Sequence, residues 1–335
     1  MEKLNQVKKR ACILLLIVLI GMSILYLAIG DIHISLESLL QTLLLTGSKI
    51  DEFVVFRLRL PRLFIVLSSG AALALSGALL QGVTRNELAD PGIIGINAGA
   101  GVGVTVFFLL FSYDAKSFSY LLPVAAFLGA GLTALLIFAF SYQRKTGIHP
   151  YKIILVGIGF SMALSGFMIL LISSAERDEV QFISSWLAGN IWGGDWPFVL
   201  VIVPIILIAI ILIFFKLQTL NILQLGEEAA LGLGVSLQKV QVFYMVVATL
   251  LAASAVSVVG SIGFIGLMSP HIAKRLVGQQ TQRYIPITLL LGSTILVVAD
   301  FLAKQLVEPN GLPTGLLVAF IGAPYFLYLI VRNNH

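Results

Sequence analysis

The stretch that decides the fold is residues 240–273, VQVFYMVVATLLAASAVSVVGSIGFIGLMSPHIA, which contains no Asp, Glu, Lys or Arg. A helix needs ~20 apolar residues to cross the hydrocarbon core of a bilayer. This stretch is therefore too long for one crossing and too short for two full ones. Three glycines and a proline interrupt it: Gly260, Gly263, Gly266 and Pro270. The pattern predicts one full span near 241–259 and a shorter span near 262–277.

The rest of the chain has the same character. Hydrophobic residues make up 59% of the sequence and charged residues 11%, whereas soluble domains carry about 25% charged residues. Further uncharged apolar blocks lie at 11–30, 63–84, 91–113, 117–143, 153–175, 196–215, 284–299 and 309–331. Together with the two spans predicted from 240–273, they predict an all-α polytopic membrane protein of about ten transmembrane helices. We expect residues 1–335 to form a single transmembrane domain.

The first apolar block follows Lys8-Lys9-Arg10, as the core of a signal peptide would. The block at 11–30 is longer than the usual signal core, and no clear small-x-small cleavage site follows it. We therefore expect a retained first span.

The basic residues predict the orientation. Ten spans place both termini on one side of the membrane. If that side is the cytoplasm, the inner segments hold twice as many lysines and arginines as the outer ones, as the positive-inside rule requires. The prediction is a multi-pass protein of the cytoplasmic membrane with lipid around it. The net charge of +5 then needs no nucleic-acid partner to explain it.

Small residues recur every four positions in several predicted spans. The sets are Gly95, Gly99 and Gly103; Gly70, Ala74, Ala78 and Gly82; and Gly157, Ser161 and Ser165. Helices in lipid pack through close backbone approach at small residues, so we predict that these faces are helix contacts. The stretch from Gly99 to Gly103 lacks the spacing and the preceding strand of a phosphate-binding loop.

The sequence offers little chemistry of its own. It has no Gly-x-x-x-x-Gly-Lys-Ser/Thr motif for nucleotide binding, and its four histidines and one cysteine, Cys12, are scattered. We predict no catalytic residues, no metal site and no cofactor. Asp300 lies four residues before Lys304, which favours a local ion pair on one helix. A coupling-ion role for Asp300 is the alternative.

Two connections stand out. The outer segment 31–62 gathers Arg57, Arg59 and Arg62 near Leu60-Pro61, which fits either headgroup anchoring or docking of an acidic partner surface. The inner segment of about 216–240 contains Asn221, a candidate helix cap. It then continues into the run Gly226-Glu227-Glu228-Ala229-Ala230, with glycines at 232 and 234. This pattern predicts one or two short helices ended by glycine. They form either an ordinary connector or a coupling helix seated on a cytoplasmic ATPase.

Four sets of motifs together resemble one family. The first set is Arg59-Leu-Pro-Arg62 with Ser76-Gly-Ala-Leu-Leu-Gln81 and Asn86-Glu-Leu-Ala-Asp-Pro-Gly92. The second is the run from Gly226 to Gly234, and the third is Gly263-Phe-Ile-Gly-Leu-Met-Ser-Pro-His271. The fourth is Ala299-Asp300 with Leu312-Pro-Thr-Gly315 and Ile321-Gly-Ala-Pro324. Their order and spacing are similar to the FecCD-type permeases, the membrane subunits of type II ATP-binding-cassette importers for iron-siderophores, haem or vitamin B12. The resemblance runs from about residue 10 to 332.

The resemblance implies a permease with ten spans that pairs with a second copy or a paralogue. It implies two cytoplasmic ATPase subunits and an extracytoplasmic siderophore-binding protein as partners. The family's docking residues for that binding protein correspond here to Arg59, Arg62 and Lys304. Lys304 replaces an arginine of the vitamin B12 relative and lacks the bidentate fork of that arginine. The family's ATPase-coupling loop corresponds here to Gly226, Glu227, Glu228, Ala229, Ala230 and Gly234. The pathway would be lined by the fifth, eighth and tenth spans and by a re-entrant stretch, Val180 to Gly189.

The expected function is transport of a ferric siderophore by alternating access, without enzymatic activity in this chain. Haem or vitamin B12 as cargo is the nearer alternative. An ion-coupled secondary transporter is the distant one, since it would place carboxylates at the membrane midplane and would need no coupling loop.

Overall fold

Helices account for nearly all of the computed structural model, which describes residues 2–30, 32–92, 94–110, 115–143, 147–148, 150–306 and 311–333. A helix satisfies every backbone hydrogen bond within its own segment, which a chain in hydrocarbon requires. In chain order the helices are α1 (Glu2–Ala28), α2 (Leu36–Leu43), α3 (Lys49–Phe53), α4 (Leu60–Thr84), α5 (Ile96–Leu110), α6 (Ala115–Ser141), α7 (Pro150–Ile172), α8 (Arg177–Leu187), α9 (Trp196–Phe214), α10 (Leu217–Gln224), α11 (Glu227–Gly232), α12 (Leu237–Val259), α13 (Ile265–Val277), α14 (Thr281–Leu306) and α15 (Thr314–Asn333).

Two features depart from plain α-helix. A π-helical segment, Val54–Arg59, joins α3 to α4, so that the helix runs without a break from Lys49 to Thr84. Between α6 and α7 two short strands, β1 (Tyr142–Gln143) and β2 (Gly147–Ile148), pair antiparallel. The all-α prediction is therefore correct for the bundle and misses this small hairpin.

Within the described residues, seven helices are long and apolar enough to cross a membrane. They are Arg10–Ala28, Lys49–Thr84, Leu121–Ser141, Tyr151–Ile172, Trp196–Phe214, Leu237–Val259 and Thr281–Leu306. The three remaining predicted spans correspond to shorter helices: α5, α13 and the stretch Thr314–Tyr328 of α15. The helices expected from the apolar blocks are thus present, and three of them are shorter than a full crossing.

The predicted division of residues 240–273 is confirmed. Helix α12 ends at Val259, and Gly260 follows with a φ of 75°, a conformation that glycine adopts without steric cost. Helix α13 then begins at Ile265. A backbone turn of this kind cannot continue an α-helix, so it separates α12 from α13.

Helix α4 is the centre of the bundle. Every residue from Ser69 to Thr84 is buried, which is the pattern of a helix surrounded on all sides by protein. Helices α12, α13 and α14 pack around it. A Cβ atom on Gly77 would lie 2.0 Å from the carbonyl oxygen of Gly266 in α13, and one on Gly70 would lie 2.4 Å from that of Gly292 in α14.

The predicted small-residue contacts are largely confirmed. Gly99 and Gly103 in α5 face Gly129 and Ala125 of α6, with carbonyl oxygens 2.6 and 2.3 Å from the position of an added Cβ. Gly157 of α7 meets the backbone of Ile94. The predicted periodicity does not hold throughout, since Gly95 lies just before α5, Ser165 is exposed, and Gly82 meets the side chain of Leu220.

The bundle has two ends that carry the predicted sites. Helices α1 and α14 finish, and α4 and α15 begin, at the end that contains Arg62, here named the Arg62 end. The short helices α10 and α11 lie at the opposite end, here named the α11 end, where α4 finishes and α12 and α14 begin.

Substituting Gly77→Ala tests the close approach at the bundle centre. The added methyl has no room beside Gly266, so we expect a loss of about 1–3 kcal/mol, as for other overpacked cores. The matched control is Gly131→Ala, where an added Cβ meets no atom within 4 Å and the gain in helix propensity, ~1 kcal/mol, remains. Thermal unfolding of the detergent-purified proteins measures both, and equal melting temperatures would contradict this packing.

Candidate functional site

The carboxylate of Asp300 lies at the centre of the Arg62 end. Its side chain is fully buried in α14. Arg62 of α4 donates to it through two nitrogens, Nη2 to Oδ1 at 2.8 Å and Nε to Oδ2 at 3.1 Å. This is the bidentate geometry in which a guanidinium holds a carboxylate most firmly.

Three further side chains complete the group. Tyr26 of α1 donates its hydroxyl to Oδ2 at 2.5 Å, and Thr314 of α15 donates to Oδ1 at 2.8 Å. The Nζ of Lys304 lies 3.6 Å from Oδ2 and donates to the Tyr26 hydroxyl at 2.8 Å. We name Tyr26, Arg62, Asp300, Lys304 and Thr314 the Asp300 cluster. One carboxylate therefore joins four helices, α1, α4, α14 and α15.

The predicted local pair of Asp300 and Lys304 is confirmed, but it is the longer of the two ion pairs that Asp300 makes. Sequence reasoning missed Arg62 as a partner of Asp300. The signal for it was available: a carboxylate inside an apolar helix must be compensated, and Arg62 begins another apolar helix at the same end of the bundle. Spacing along the chain could not identify the partner.

Arg59 has a different environment. It donates Nη1 to the carbonyl oxygen of Leu27 at 2.6 Å and Nη2 to that of Ile32. These carbonyls belong to the last turn of α1 and to the segment after it, where helix geometry leaves carbonyls without intrahelical donors. Arg59 thus ties the end of α1 to the π-helical segment. Arg57, by contrast, is exposed.

The three predicted docking residues do come together. Arg59, Arg62 and Lys304 line one cleft of about 550 Å³ at the Arg62 end. Its other walls include Trp192 and Asp195, from the segment before α9. Arg62 is 25% exposed and Lys304 is 38% exposed, although both contact the buried Asp300. Cationic groups outnumber carboxylates among the residues that line this cleft or support it.

The α11 end contains the predicted short helices. Helices α10 and α11 are separated at Leu225 and Gly226, and α11 ends at Gly232. The prediction of one or two short helices ended by glycine is confirmed. Glu228 and Ala229 are exposed and Ala230 is fully buried. The side chain of Glu227 lies outside the described residues.

The surface around α11 is open and carries exposed leucines beside the exposed Glu228. Leu225, Leu231 and Leu233 are each at least 60% exposed. Added Cβ atoms on Gly226, Gly232 and Gly234 would meet no atom within 4 Å. A group of exposed leucines at the end of a membrane helix bundle is typical of a protein-contact surface.

Helix α10, which precedes α11 in the chain, is attached to the rest of the bundle by hydrogen bonds. Arg85 at the end of α4 donates to the carbonyl oxygen of Leu223 at 3.1 Å. Asn221 accepts from the backbone N–H of Thr281 at 2.8 Å, so it caps the start of α14 rather than that of α11. The sequence therefore indicated a cap at Asn221 without indicating its helix. These contacts attach α10 to the two central helices of the bundle.

Asp300→Asn tests the buried cluster. The substitution keeps the shape of the side chain and removes the charge that compensates Arg62 and Lys304. Removing one partner of a buried ion pair costs on the order of 3 kcal/mol. The control is Asp178→Asn, an exposed aspartate in the first turn of α8, for which we expect a change within ~0.5 kcal/mol. Thermal unfolding compares the two, and equal stability would show that the cluster contributes little.

The FecCD transport family matches residues 14–332. The chain is 39% identical over 314 residues to the iron(3+)-hydroxamate import system permease protein FhuG of Bacillus subtilis (strain 168), covering 92% of each protein. It is 37% identical to the Fe(3+)-citrate import system permease protein YfmE of the same organism, covering 98% of each.

The fold comparison agrees with the sequence comparison. A solved structure described as a metal-chelate type ABC transporter in an inward-facing conformation superposes with a TM-score of 0.83. It is 30% identical to this chain, and the match covers 97% of this chain and 99% of the other.

Proposed function

Since this chain belongs to the FecCD transport family, we propose that it carries a ferric siderophore across the cell membrane as the permease subunit of an ATP-binding-cassette importer. It is a multi-pass membrane protein and a transport subunit without catalytic activity. The cargo assignment rests on the similarity, over nearly the full length of the chain, to permeases for iron(3+)-hydroxamate and Fe(3+)-citrate. Haem and vitamin B12 are the alternative cargoes.

We propose ten membrane crossings with both termini in the cytoplasm. Seven long apolar helices supply the full crossings, and α5, α13 and α15 supply shorter ones. Short helices can serve as crossings where neighbouring protein covers their ends, and α13 is packed against α4, α14 and α15. This arrangement places the Arg62 end outside and the α11 end in the cytoplasm, within a single permease domain of residues 1–335.

The outer cleft is the proposed docking site of a siderophore-binding protein. Arg59, Arg62 and Lys304 present positive charge to the cleft, and acidic side chains of the partner would complement it. Since Asp300 compensates only part of the charge of Arg62 and Lys304, the cluster keeps a net positive charge. The buried contacts also hold the two cations in place, which lowers the entropy that docking must remove.

The surface at α11 is the proposed contact for the ATPase. Residues Gly226, Glu227, Glu228, Ala229, Ala230 and Gly234 form or flank the short helix, and the exposed leucines lie beside it. Buried Ala230 fixes this helix to the bundle, so a motion of the ATPase would move the bundle with it. Two ATPase copies and a second permease copy or a paralogue would complete the transporter. Cargo would pass between the two permeases by alternating access.

Cellular uptake tests the cargo. Cells without this gene and cells that carry it are compared for uptake of radiolabelled ferric hydroxamate, ferric citrate, cobalamin and haem. Loss of ferric chelate uptake alone is the expected result. Loss of cobalamin or haem uptake instead would contradict the siderophore assignment and leave the importer mechanism in place.

Lys304→Gln tests the docking cleft. The neutral amide can still donate a hydrogen bond to Tyr26, so the substitution removes the charge and leaves the local structure nearly unchanged. We expect the affinity for the binding protein to fall about two- to fivefold, since an exposed ion pair contributes roughly 0.2–1 kcal/mol. The control is Lys49→Gln, an exposed lysine at the same end. Surface plasmon resonance at several salt concentrations measures both. Unchanged affinity and salt dependence in Lys304→Gln would remove this residue from the docking site.

Ala229→Arg tests the coupling surface. Ala229 is exposed on α11, so a long charged side chain changes the contact and not the fold. We expect the ATPase subunit to copurify poorly and uptake to fall at least tenfold, comparable with the loss of a contact residue at a protein interface. The control is Gln41→Arg, an exposed position of α2 at the other end. Normal copurification and uptake in the Ala229 variant would exclude α11 as the contact.

A further inference from the structure

Three breaks between helices meet in one place beside the Asp300 cluster. They are the end of α8 at Ala188-Gly189, the break between α12 and α13 at Gly260-Ser261, and the start of α15 at Gly315. Two backbone hydrogen bonds join them: the N–H of Gly315 donates to the carbonyl of Gly189 at 3.1 Å, and that of Ser261 donates to the carbonyl of Trp186 at 3.2 Å. We name this meeting point the glycine junction.

The junction allows very little independent movement of its parts. A Cβ atom on Gly315 would lie 2.5 Å from the carbonyl oxygen of Ala188, and one on Gly260 would lie 2.6 Å from that of Trp186. Main chain is therefore in direct contact with main chain, without side chains between that could adjust. A shift at the start of α15 must move the end of α8, or break the hydrogen bond between Gly315 and Gly189.

Thr314 connects the junction to the docking cleft. It precedes Gly315 directly, and its hydroxyl donates to Asp300 Oδ1 at 2.8 Å. Arg62 Nη2 donates to the same oxygen at the same distance. The first residue of α15 and a cation that faces the outer cleft thus share one oxygen atom, and a change in one contact alters the other.

We propose that Asp300 and Thr314 are positioning residues that transmit docking of the binding protein to α15 and to the end of α8. The inference rests on the proposed function of the cleft. A carboxylate of the docked protein competes with Asp300 for Arg62 and weakens the contact at Oδ1. Thr314 then becomes the main donor to that oxygen, the start of α15 shifts, and the glycine junction carries the shift to α8. Docking shifts the position of α8 in this scheme because the docked protein changes the contacts of Arg62, and a ligand moves a conformational equilibrium only through such differential contacts.

Thr314→Val is the test, because valine has nearly the same shape and lacks the hydroxyl. The matched control is Thr288→Val in α14, a buried threonine whose hydroxyl donates within its own helix to the carbonyl of Tyr284. Thr314→Ser restores the hydroxyl. The variants are reconstituted with the ATPase subunit, and the binding protein is loaded with a ferric hydroxamate. Its affinity and its stimulation of ATP hydrolysis are measured separately.

We expect Thr314→Val to retain binding of the loaded protein, because Arg62 keeps its charge and both of its contacts with Asp300. We expect its stimulation to fall about fivefold or more, the size of a typical coupling free energy. Thr288→Val and Thr314→Ser keep the stimulation of the wild type. Normal stimulation in Thr314→Val, or an equal loss in Thr288→Val, overturns the proposal. If the wild-type complex neither binds nor responds to the loaded protein, the proposed function itself fails and this inference fails with it.

Hydrogen exchange on the wild-type protein tests the same link without a substitution. The amides of Gly315 and Ser261 are both held at the junction. We expect docking of the loaded binding protein to change their exchange rates by about fivefold or more, while the amide of Gly278 after α13, bonded to the carbonyl of Lys274, stays unchanged. Equal exchange at Gly315 and Ser261 with and without the binding protein would overturn the proposal.

Discussion

The buried carboxylate of Asp300 is the constraint on which the Arg62 end depends. A charge withdrawn from water is tolerated only where opposite charge and hydrogen-bond donors surround it. Arg62, Lys304, Tyr26 and Thr314 supply these from four helices. The ends of α1 and α14 and the starts of α4 and α15 therefore meet at this carboxylate. It also keeps two cations at a cleft that opens outward in the proposed topology.

At the opposite end of the bundle, hydrogen bonds attach α10 to the helices beside it. Arg85 donates to the carbonyl oxygen of Leu223, and the backbone N–H of Thr281 donates to Asn221. These donors lie at the ends of the same two central helices that carry Arg62 and Asp300. Helices α4 and α14 therefore run from the proposed docking cleft to the proposed coupling surface. Their backbones meet directly at Gly70 and Gly292, where an added Cβ on either glycine would lie within 2.4 Å of the other's carbonyl oxygen.

The sequence predicted those parts of the fold that depend on local pattern. Apolar block lengths predicted the long helices, and the glycines of 260–266 predicted the break before α13. Small residues at 99 and 103 predicted a close helix contact, and the structure identifies α6 as the partner. The pair of Asp300 with Arg62 was not predictable in this way, because 238 positions separate them and only the packed bundle brings them together. The same holds for Asn221, whose helix was not evident, and for the short pairing of β1 with β2.

The function was only partly predictable from composition and pattern. Composition and charge distribution indicated a polytopic membrane protein, but only the family motifs indicated an importer driven by a separate ATPase. The glycine junction had no signal in the sequence, since Gly189, Gly260 and Gly315 share no spacing and meet only through the backbone of three helix breaks. The proposed docking site, the proposed coupling surface and the proposed link between them all rest on contacts that only the folded chain creates.

The most direct test of the account is ATP-dependent uptake into proteoliposomes that contain this permease with its ATPase subunit. Radiolabelled ferric hydroxamate bound to its binding protein is supplied outside, and ATP or a proton gradient is supplied separately. The account predicts accumulation with internal ATP and the binding protein, and none with the proton gradient alone. Accumulation driven by the gradient without ATP would contradict it and support an ion-coupled transporter.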